Sequence, residues 1–149
     1  MNYLKTGRAV ALLAAVLCYG TVTVNAQSRD IGDWKKEQLY NVEQLAERVH
    51  QADTSDIYIL NTGPVEDIQY AIHIGPVENK KYLDKLELLL PALDKGREVI
   101  IYCGCCPLVV CPNLSPAYDL LSHNGFRVKV LALEQDLEED WIEKKYPVK

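Results

Sequence analysis

Four cysteines within residues 103–111 are the clearest candidates for chemistry in this chain. They are Cys103, Cys105, Cys106 and Cys111, whereas the fifth cysteine, Cys18, stands near the N-terminus. The cysteines of a disulfide scaffold are spread along the chain so that they join distant segments. These four belong to one loop and join nothing distant. They therefore predict a reactive or binding site.

The position of Cys103 favours a nucleophilic thiolate. It directly follows residues 99–102, an apolar run that predicts a buried strand, and a helix is predicted after the loop. Ligand sites of parallel sheets lie at the carboxyl ends of the strands. The unpaired N–H groups at a helix N-terminus lower the pKa of a nearby thiol and bind oxyanions. Such a cysteine can take up a sulfur atom, or attack a phosphate, an arsenate or a disulfide.

The segments around this loop alternate between strands and helices. The sequence predicts helices over 41–49, 80–93, 115–123 and 137–145, and strands over 57–60, 71–74, 99–102 and 128–133. Asn41 and Ser115 are the expected N-caps of the first and third helices, with Pro116 at the first helical position. Pro91 is expected to bend or end the second helix. The alternation predicts an α/β fold with a central parallel sheet and helices on both faces.

The N-terminal segment, residues 1–26, has the features of a secretory signal peptide. The basic residues Lys5 and Arg8 precede an apolar stretch over 9–17, and small residues end the segment at Ala26. A helix needs about 20 apolar residues to span a bilayer, so this stretch is too short. We therefore expect an exported protein, periplasmic or secreted, without membrane attachment after cleavage. It would contain an N-terminal lead-in over 27–40 and one domain over 41–149.

The charge balance limits the partners of the mature chain. Two of the 16 basic residues lie in the predicted signal peptide, which leaves 14 basic against 21 acidic residues. This acidic balance argues against nucleic acid and anionic membranes as partners. A Gly-rich phosphate-binding motif is absent from the sequence, and no cofactor is expected.

Taken in order along the chain, several segments of the sequence resemble the rhodanese family of sulfurtransferase domains. The matching pieces are 41–49, 57–63, 71–76, 99–103, Ala117 with Leu120 and Leu121, 125–128, Leu131 and Trp141. The strand that ends at Cys103, combined with the Gly125-Phe126 turn, is the most specific part. The resemblance implies a rhodanese-like fold over about residues 41–146. It also implies that Cys103 carries a persulfide between a small sulfur-containing anion and a thiol acceptor.

The loop after Cys103 is unusual for that family. It is longer than the usual loop, and no charged residue lies between Cys103 and Leu114. Binding of an anionic donor would therefore depend on backbone N–H groups. Asn61 and Gly63 stand where members usually carry an aspartate and an arginine. The residues expected to form the substrate-binding loop are Gly104, Cys105, Cys106, Asn113 and Ser115.

The additional cysteines leave further uses of the loop open. Cys105, Cys106 or Cys111 could resolve a persulfide or a sulfenate on Cys103 as a disulfide. Residues 103–106 also have the C-x-x-C spacing of redox proteins. All four thiolates could instead bind Zn²⁺ or Cu(I). Finally, Cys111 could belong to a structural disulfide in a non-catalytic binding module of the same fold.

Overall fold

A five-stranded, all-parallel sheet forms the centre of residues 30–149, the part of the chain that the computed structural model describes. The strands are β1 Leu39–Tyr40, β2 Ile57–Asn61, β3 Ile72–His73, β4 Glu98–Tyr102 and β5 Arg127–Leu131. Their order across the sheet is β1-β5-β4-β2-β3, and each neighbouring pair runs parallel. The predicted α/β fold with a central parallel sheet is confirmed. The middle strand of the sheet is β4, which leads directly to Cys103.

Helices cover both faces of the sheet, as predicted. They are α1 Val42–His50, α2 Lys80–Leu89 and α3 Leu114–His123. Successive side chains of a strand point to opposite faces. In β4, Val99 and Ile101 pack in the core beneath α2 and α3, whereas Ile100 and Tyr102 pack in the core beneath α1. Because both faces are buried, the strand is an unbroken apolar run in the sequence.

Short helical turns occupy several connections. Lys36–Gln38, Leu90–Ala92 and Leu108–Val110 are 3₁₀ turns, and Glu138–Ile142 has π-helical hydrogen bonding. Pro91 lies in the turn that follows α2, so it ends the helix as predicted. The helix predicted over 137–145 is too long. The backbone of Lys145 is left-handed, with φ of 59°, and this conformation ends the helical path.

The predicted N-cap of α3 is wrong, whereas that of α1 is confirmed. Asn41 Oδ1 accepts a hydrogen bond from Gln44 N at 2.8 Å. In contrast, α3 begins at Leu114, its N-cap is Asn113, and Ser115 lies inside the first turn. The Asn113 side chain makes no capping bond. It is buried and forms tertiary hydrogen bonds instead, and these override the local preference for serine.

The N-terminal part of the described chain contributes to the sheet. Leu39 and Tyr40 of β1 lie in the predicted lead-in and pair with Val130 and Leu131 of β5. The predicted signal peptide, residues 1–26, lies outside the described residues. Within residues 30–149, no helix is both long and apolar enough to cross a membrane.

The segment over 146–149 closes onto the connection between β2 and β3. Val148 forms an antiparallel bridge with Ile68. Lys149 N donates to Asp67 O at 2.9 Å, and Gln69 N donates to Pro147 O at 3.2 Å. This C-terminal segment therefore fixes the connection that borders Cys103.

Candidate active site

Cys103 lies at the carboxyl edge of the sheet and is almost fully buried, with 1% of its surface exposed. Gly63, in the connection between β2 and β3, packs directly against it. A Cβ atom on Gly63 would stand 2.2 Å from the carbonyl oxygen of Cys103 and 2.9 Å from its Sγ. Only glycine allows this close approach. The backbone after β2 therefore forms one wall of the thiol site.

Asn61 holds that wall in place. Its buried side chain accepts a hydrogen bond from Gly63 N at 3.0 Å and donates one to Asp67 Oδ1 at 2.9 Å. Burial opposes ionisation of Asp67, but hydrogen bonds from Asn61 and His73 and the charge of Lys149 lower the pKa of the carboxyl below its usual range. The Asp67 carboxylate thus serves as a fixed acceptor that orients Asn61.

The surroundings of Cys103 favour its thiolate. Asn113 Nδ2 donates to Cys103 Sγ at 3.3 Å, and Cys105 Sγ lies 3.2 Å from the same sulfur. The hydrogen bond from the Cys111 thiol is the largest cause of the lowered pKa. Burial opposes it, and the backbone N–H of Cys105, the Cys105 thiol and the Asn113 amide reinforce it. Together they lower the pKa of Cys103 to about 6.

The Cys105 and Cys111 thiols stay protonated and act as hydrogen-bond donors. Burial, together with the adjacent Cys103 and Cys106, raises the pKa of Cys105 to about 12. The hydrogen bond to Cys103, followed by burial, raises the pKa of Cys111 above its usual range. Cys103, Cys105, Cys106 and Cys111 are all free cysteines. The cluster therefore concentrates one negative charge on Cys103.

Gly104 sets the path of the loop away from the strand. Its φ of 71° is left-handed, and a Cβ atom there would stand 2.8 Å from Leu137 Cβ and 3.2 Å from Val65 Cγ2. The carbonyl oxygen of Gly104 accepts a hydrogen bond from Leu137 N at 2.9 Å. The loop is thus held between the β2–β3 connection and the π-helical turn.

An open cleft of about 430 Å³ borders the cysteine cluster at Cys105. Cys105 is exposed, in contrast to Cys103. The cleft is lined by Val65, Glu66, Gly104, Cys105, Asp136, Leu137, Glu138 and Ile142. Its lining includes three carboxylates and no basic side chain. We call this feature the acidic cleft.

The structure brings together most of the predicted site residues, but not Ser115. Sulfur or amide atoms of Cys103, Cys105, Cys106 and Asn113 form a chain of contacts, with Cys105 Sγ and Cys106 Sγ 3.5 Å apart. Ser115 is exposed and lines a second groove, of about 230 Å³, together with Trp34 and Tyr118.

The sequence does not show which residues form the walls of the site. The turn signal Gly63-Pro64 after β2 indicates a chain reversal, but it does not show that Gly63 reaches Cys103. Leu137 lies in a separate segment, and its sequence context indicates only a helix start. Both contacts depend on the order of strands in the sheet, which a short-range pattern does not contain.

The four cysteines also form a possible set of metal ligands. Their sulfur atoms all lie within 4.8 Å of one another. In a tetrahedral site with Zn–S bonds of about 2.3 Å, the sulfurs stand about 3.8 Å apart. The spacing is thus close to that of a four-thiolate site for a soft metal ion such as Zn²⁺ or Cu(I).

Comparison with solved structures supports the fold alone. A crystal structure of a protein from Lactobacillus plantarum, a structural genomics target, matches with a TM-score of 0.57 and 16% sequence identity. The match covers 75% of this chain and 87% of that chain. No protein-family model matches the sequence, and no curated protein matches it. The all-parallel α/β fold is compatible with a rhodanese-like domain.

Proposed function

We propose that this chain is a rhodanese-like sulfurtransferase that carries sulfane sulfur as a persulfide on Cys103. The observation that carries the proposal is the Cys103 sulfur at the end of β4, hydrogen-bonded by Asn113 and by neighbouring thiols. A pKa of about 6 makes the thiolate the main form at neutral pH. The thiolate is the nucleophilic form of cysteine.

The proposed transfer is a pair of displacements at one sulfur atom. The Cys103 thiolate attacks the outer sulfur of a donor, so that a bond forms between Cys103 Sγ and that sulfur. The donor's own bond to the sulfur breaks, and the donor leaves with the electron pair. An acceptor thiolate then attacks the same sulfur and releases Cys103 as a thiolate. The two steps balance without an added oxidant or reductant.

The proposed partners follow from the same chemistry. The donor is a small sulfur-containing anion or another sulfane-sulfur compound, and the acceptor is a thiol. Nucleic acid is not a proposed partner, because acidic residues outnumber basic ones. On the basis of residues 1–26, we propose that the protein acts outside the cytoplasm, in the periplasm or as a secreted protein.

Intact mass spectrometry after incubation with a polysulfide donor tests this function. We expect the protein to gain one sulfur atom that a reductant removes, and Cys103→Ser to gain none. The matched control is Val110→Ser, because Val110 is 67% exposed in the same loop. This control should gain sulfur as the parent does. A Cys103→Ser variant that transfers sulfur to a thiol at the parent's rate would refute the proposal.

The pH dependence of alkylation gives an independent prediction. Because the pKa of Cys103 is lowered to about 6, its thiolate is lost only as the pH falls through that value. We expect the rate of alkylation of Cys103 by iodoacetamide to be half-maximal near pH 6 and flat above pH 7. The same residue in urea should titrate near the ordinary cysteine value of about 8.5. A folded-state midpoint above 8 would contradict the assigned thiolate.

A second candidate function is the binding of a soft metal ion, favoured by the four clustered sulfurs. The mass experiment distinguishes the two candidates. A protein that retains one metal ion, resists alkylation until a chelator is added and gains no sulfur would support metal binding.

A further inference from the structure

The proposed sulfur carrier is buried, whereas the acceptors with which it exchanges sulfur come from solvent. Only 1% of Cys103 is exposed, and Gly63 and Asn113 pack against it. Cys111, which also faces it, is buried, with 9% exposed. The Cys103 sulfur therefore offers little surface to an acceptor molecule, in contrast to a thiol that faces solvent.

Cys105 connects this buried sulfur to the outside. Its Sγ lies 3.2 Å from Cys103 Sγ, and the residue is exposed and lines the acidic cleft. A sulfur bonded to Cys103 would stand about 2.05 Å from its Sγ. The added sulfur therefore stands at most about 5.3 Å from Cys105 Sγ, the neighbour that faces the cleft.

We propose that Cys105 relays sulfane sulfur from Cys103 to acceptors in the acidic cleft. The relay rests on the proposed function, since it requires a persulfide on Cys103. It assigns the two cysteines different roles. Cys103 stores the sulfur, and Cys105 exchanges it with other molecules.

The relay is an isomerisation of one protein species to another. The Cys105 thiol gives its proton to the outer sulfur of the Cys103 persulfide anion, and the resulting Cys105 thiolate attacks that sulfur, so that a bond forms between Cys105 Sγ and that sulfur. The bond from Cys103 Sγ breaks, Cys103 keeps the electron pair, and the proton stays on the outer sulfur of the new persulfide. The Cys103 persulfide anion and the Cys105 thiol thus become the Cys103 thiolate and a Cys105 persulfide, with no change in charge or oxidation level.

The lining of the cleft indicates the class of acceptor. Glu66, Asp136 and Glu138 line the same cleft as the exposed Cys105, and no basic side chain lines it. A negative field repels anions and attracts cations. The fitting acceptor is therefore a neutral or positively charged thiol rather than an anionic one.

Single-turnover transfer from the loaded protein tests the relay. The parent, Cys105→Ser and Val110→Ser are incubated with a polysulfide donor to completion, desalted and mixed with cysteamine, a cationic thiol. Transfer is measured as loss of the added sulfur by intact mass, and peptide mapping locates it. We expect a transfer rate at least about tenfold lower for Cys105→Ser, with Val110→Ser at the parent's rate. Parent samples trapped before mixing should carry sulfur on Cys103 and Cys105.

Each outcome separates the relay from the proposed function. Parent-like transfer by Cys105→Ser with sulfur mapped to Cys103 would overturn the relay and leave the persulfide carrier intact. A Cys103–Cys105 disulfide with release of hydrosulfide would also overturn the relay. Failure of Cys105→Ser to load where the parent loads would likewise overturn the relay, since Cys103 then does not take up the sulfur that the relay passes on. A parent that never loads overturns both proposals.

Acceptor charge is tested in the same assay with mercaptoacetate, an anionic thiol. We expect the parent to prefer cysteamine, and the preference to fall about fivefold in the double variant Glu66→Gln with Glu138→Gln. An unchanged preference in that variant would overturn the assigned acceptor class.

Discussion

Replacing Asn113 with aspartate is expected to slow alkylation of Cys103 by about tenfold at pH 7. The new carboxylate can still accept the hydrogen bond from Glu78 N, which Asn113 Oδ1 accepts at 3.0 Å. It cannot supply the Nδ2 donor that contacts Cys103 Sγ at 3.3 Å. It also brings a negative charge to a position that is 2% exposed. A like charge at this distance raises a pKa by about 2 units, which leaves about a tenth of Cys103 as thiolate at neutral pH.

The measurement is the rate of iodoacetamide alkylation at Cys103 as a function of pH. The whole profile should shift to higher pH. Asn79→Asp is the matched control, because Asn79 is exposed and its Oδ1 accepts from Lys81 N at the start of α2. Aspartate serves equally well as an N-cap, so this variant adds the same charge without altering the site. A profile for Asn113→Asp that coincides with the parent's would show that Asn113 does not stabilise the thiolate.

Replacing Gly63 with alanine is expected to lower the stability of the protein more than any other added methyl group at the site. The new Cβ would stand 2.2 Å from the Cys103 carbonyl oxygen, an atom of the backbone that cannot rotate away. Either β4 or the β2–β3 connection must shift, and overpacking of this kind costs about 3 kcal/mol or more. For a domain of this size, the expected fall in Tm is about 15 °C.

Thermal unfolding followed by circular dichroism measures this effect, and Gly96→Ala is the matched control. A Cβ on Gly96 would stand 3.2 Å from Asp94 Oδ1, the end of an exposed side chain that can move. This control should change the Tm by only a few degrees. If Gly63→Ala has the Tm of the parent and the parent's Cys103 reactivity, the close packing of Gly63 on Cys103 is wrong.

The arrangement of the sheet follows from patterns that the sequence contains. Residues 99–102 form an apolar run because β4 is buried on both faces, and this run correctly predicted a parallel sheet with Cys103 at its edge. Strand β1 was not predicted, because Leu39 and Tyr40 are too few to show a period. Its existence depends on pairing with β5, a long-range contact.

The interior of the site could be predicted only in part, because side chains there form hydrogen bonds with residues that are distant in the sequence. Ser115 is a better N-cap by local preference, yet Asn113 takes the cap position while its amide bonds to Cys103 and Glu78. The order of thiol acidities likewise depends on sulfur positions that the spacing of cysteines does not give. The position of Cys103 after a buried strand predicted the thiolate, whereas the groups that stabilise it depend on three-dimensional contacts.

The contacts between the C-terminal segment, residues 146–149, and the β2–β3 connection have a consequence for the folding of the protein. The thiol site is completed by Leu137 and by the anchoring of Asp67 through Lys149, a pairing that spans 82 positions. Contacts of such long sequence separation form late in folding, after local helices. A nascent chain therefore exposes the four loop cysteines before the folded site forms around them. Cys103 and Cys111, which are buried in the folded chain, are then still open to oxidation, whereas Cys105 stays exposed after the segment has docked.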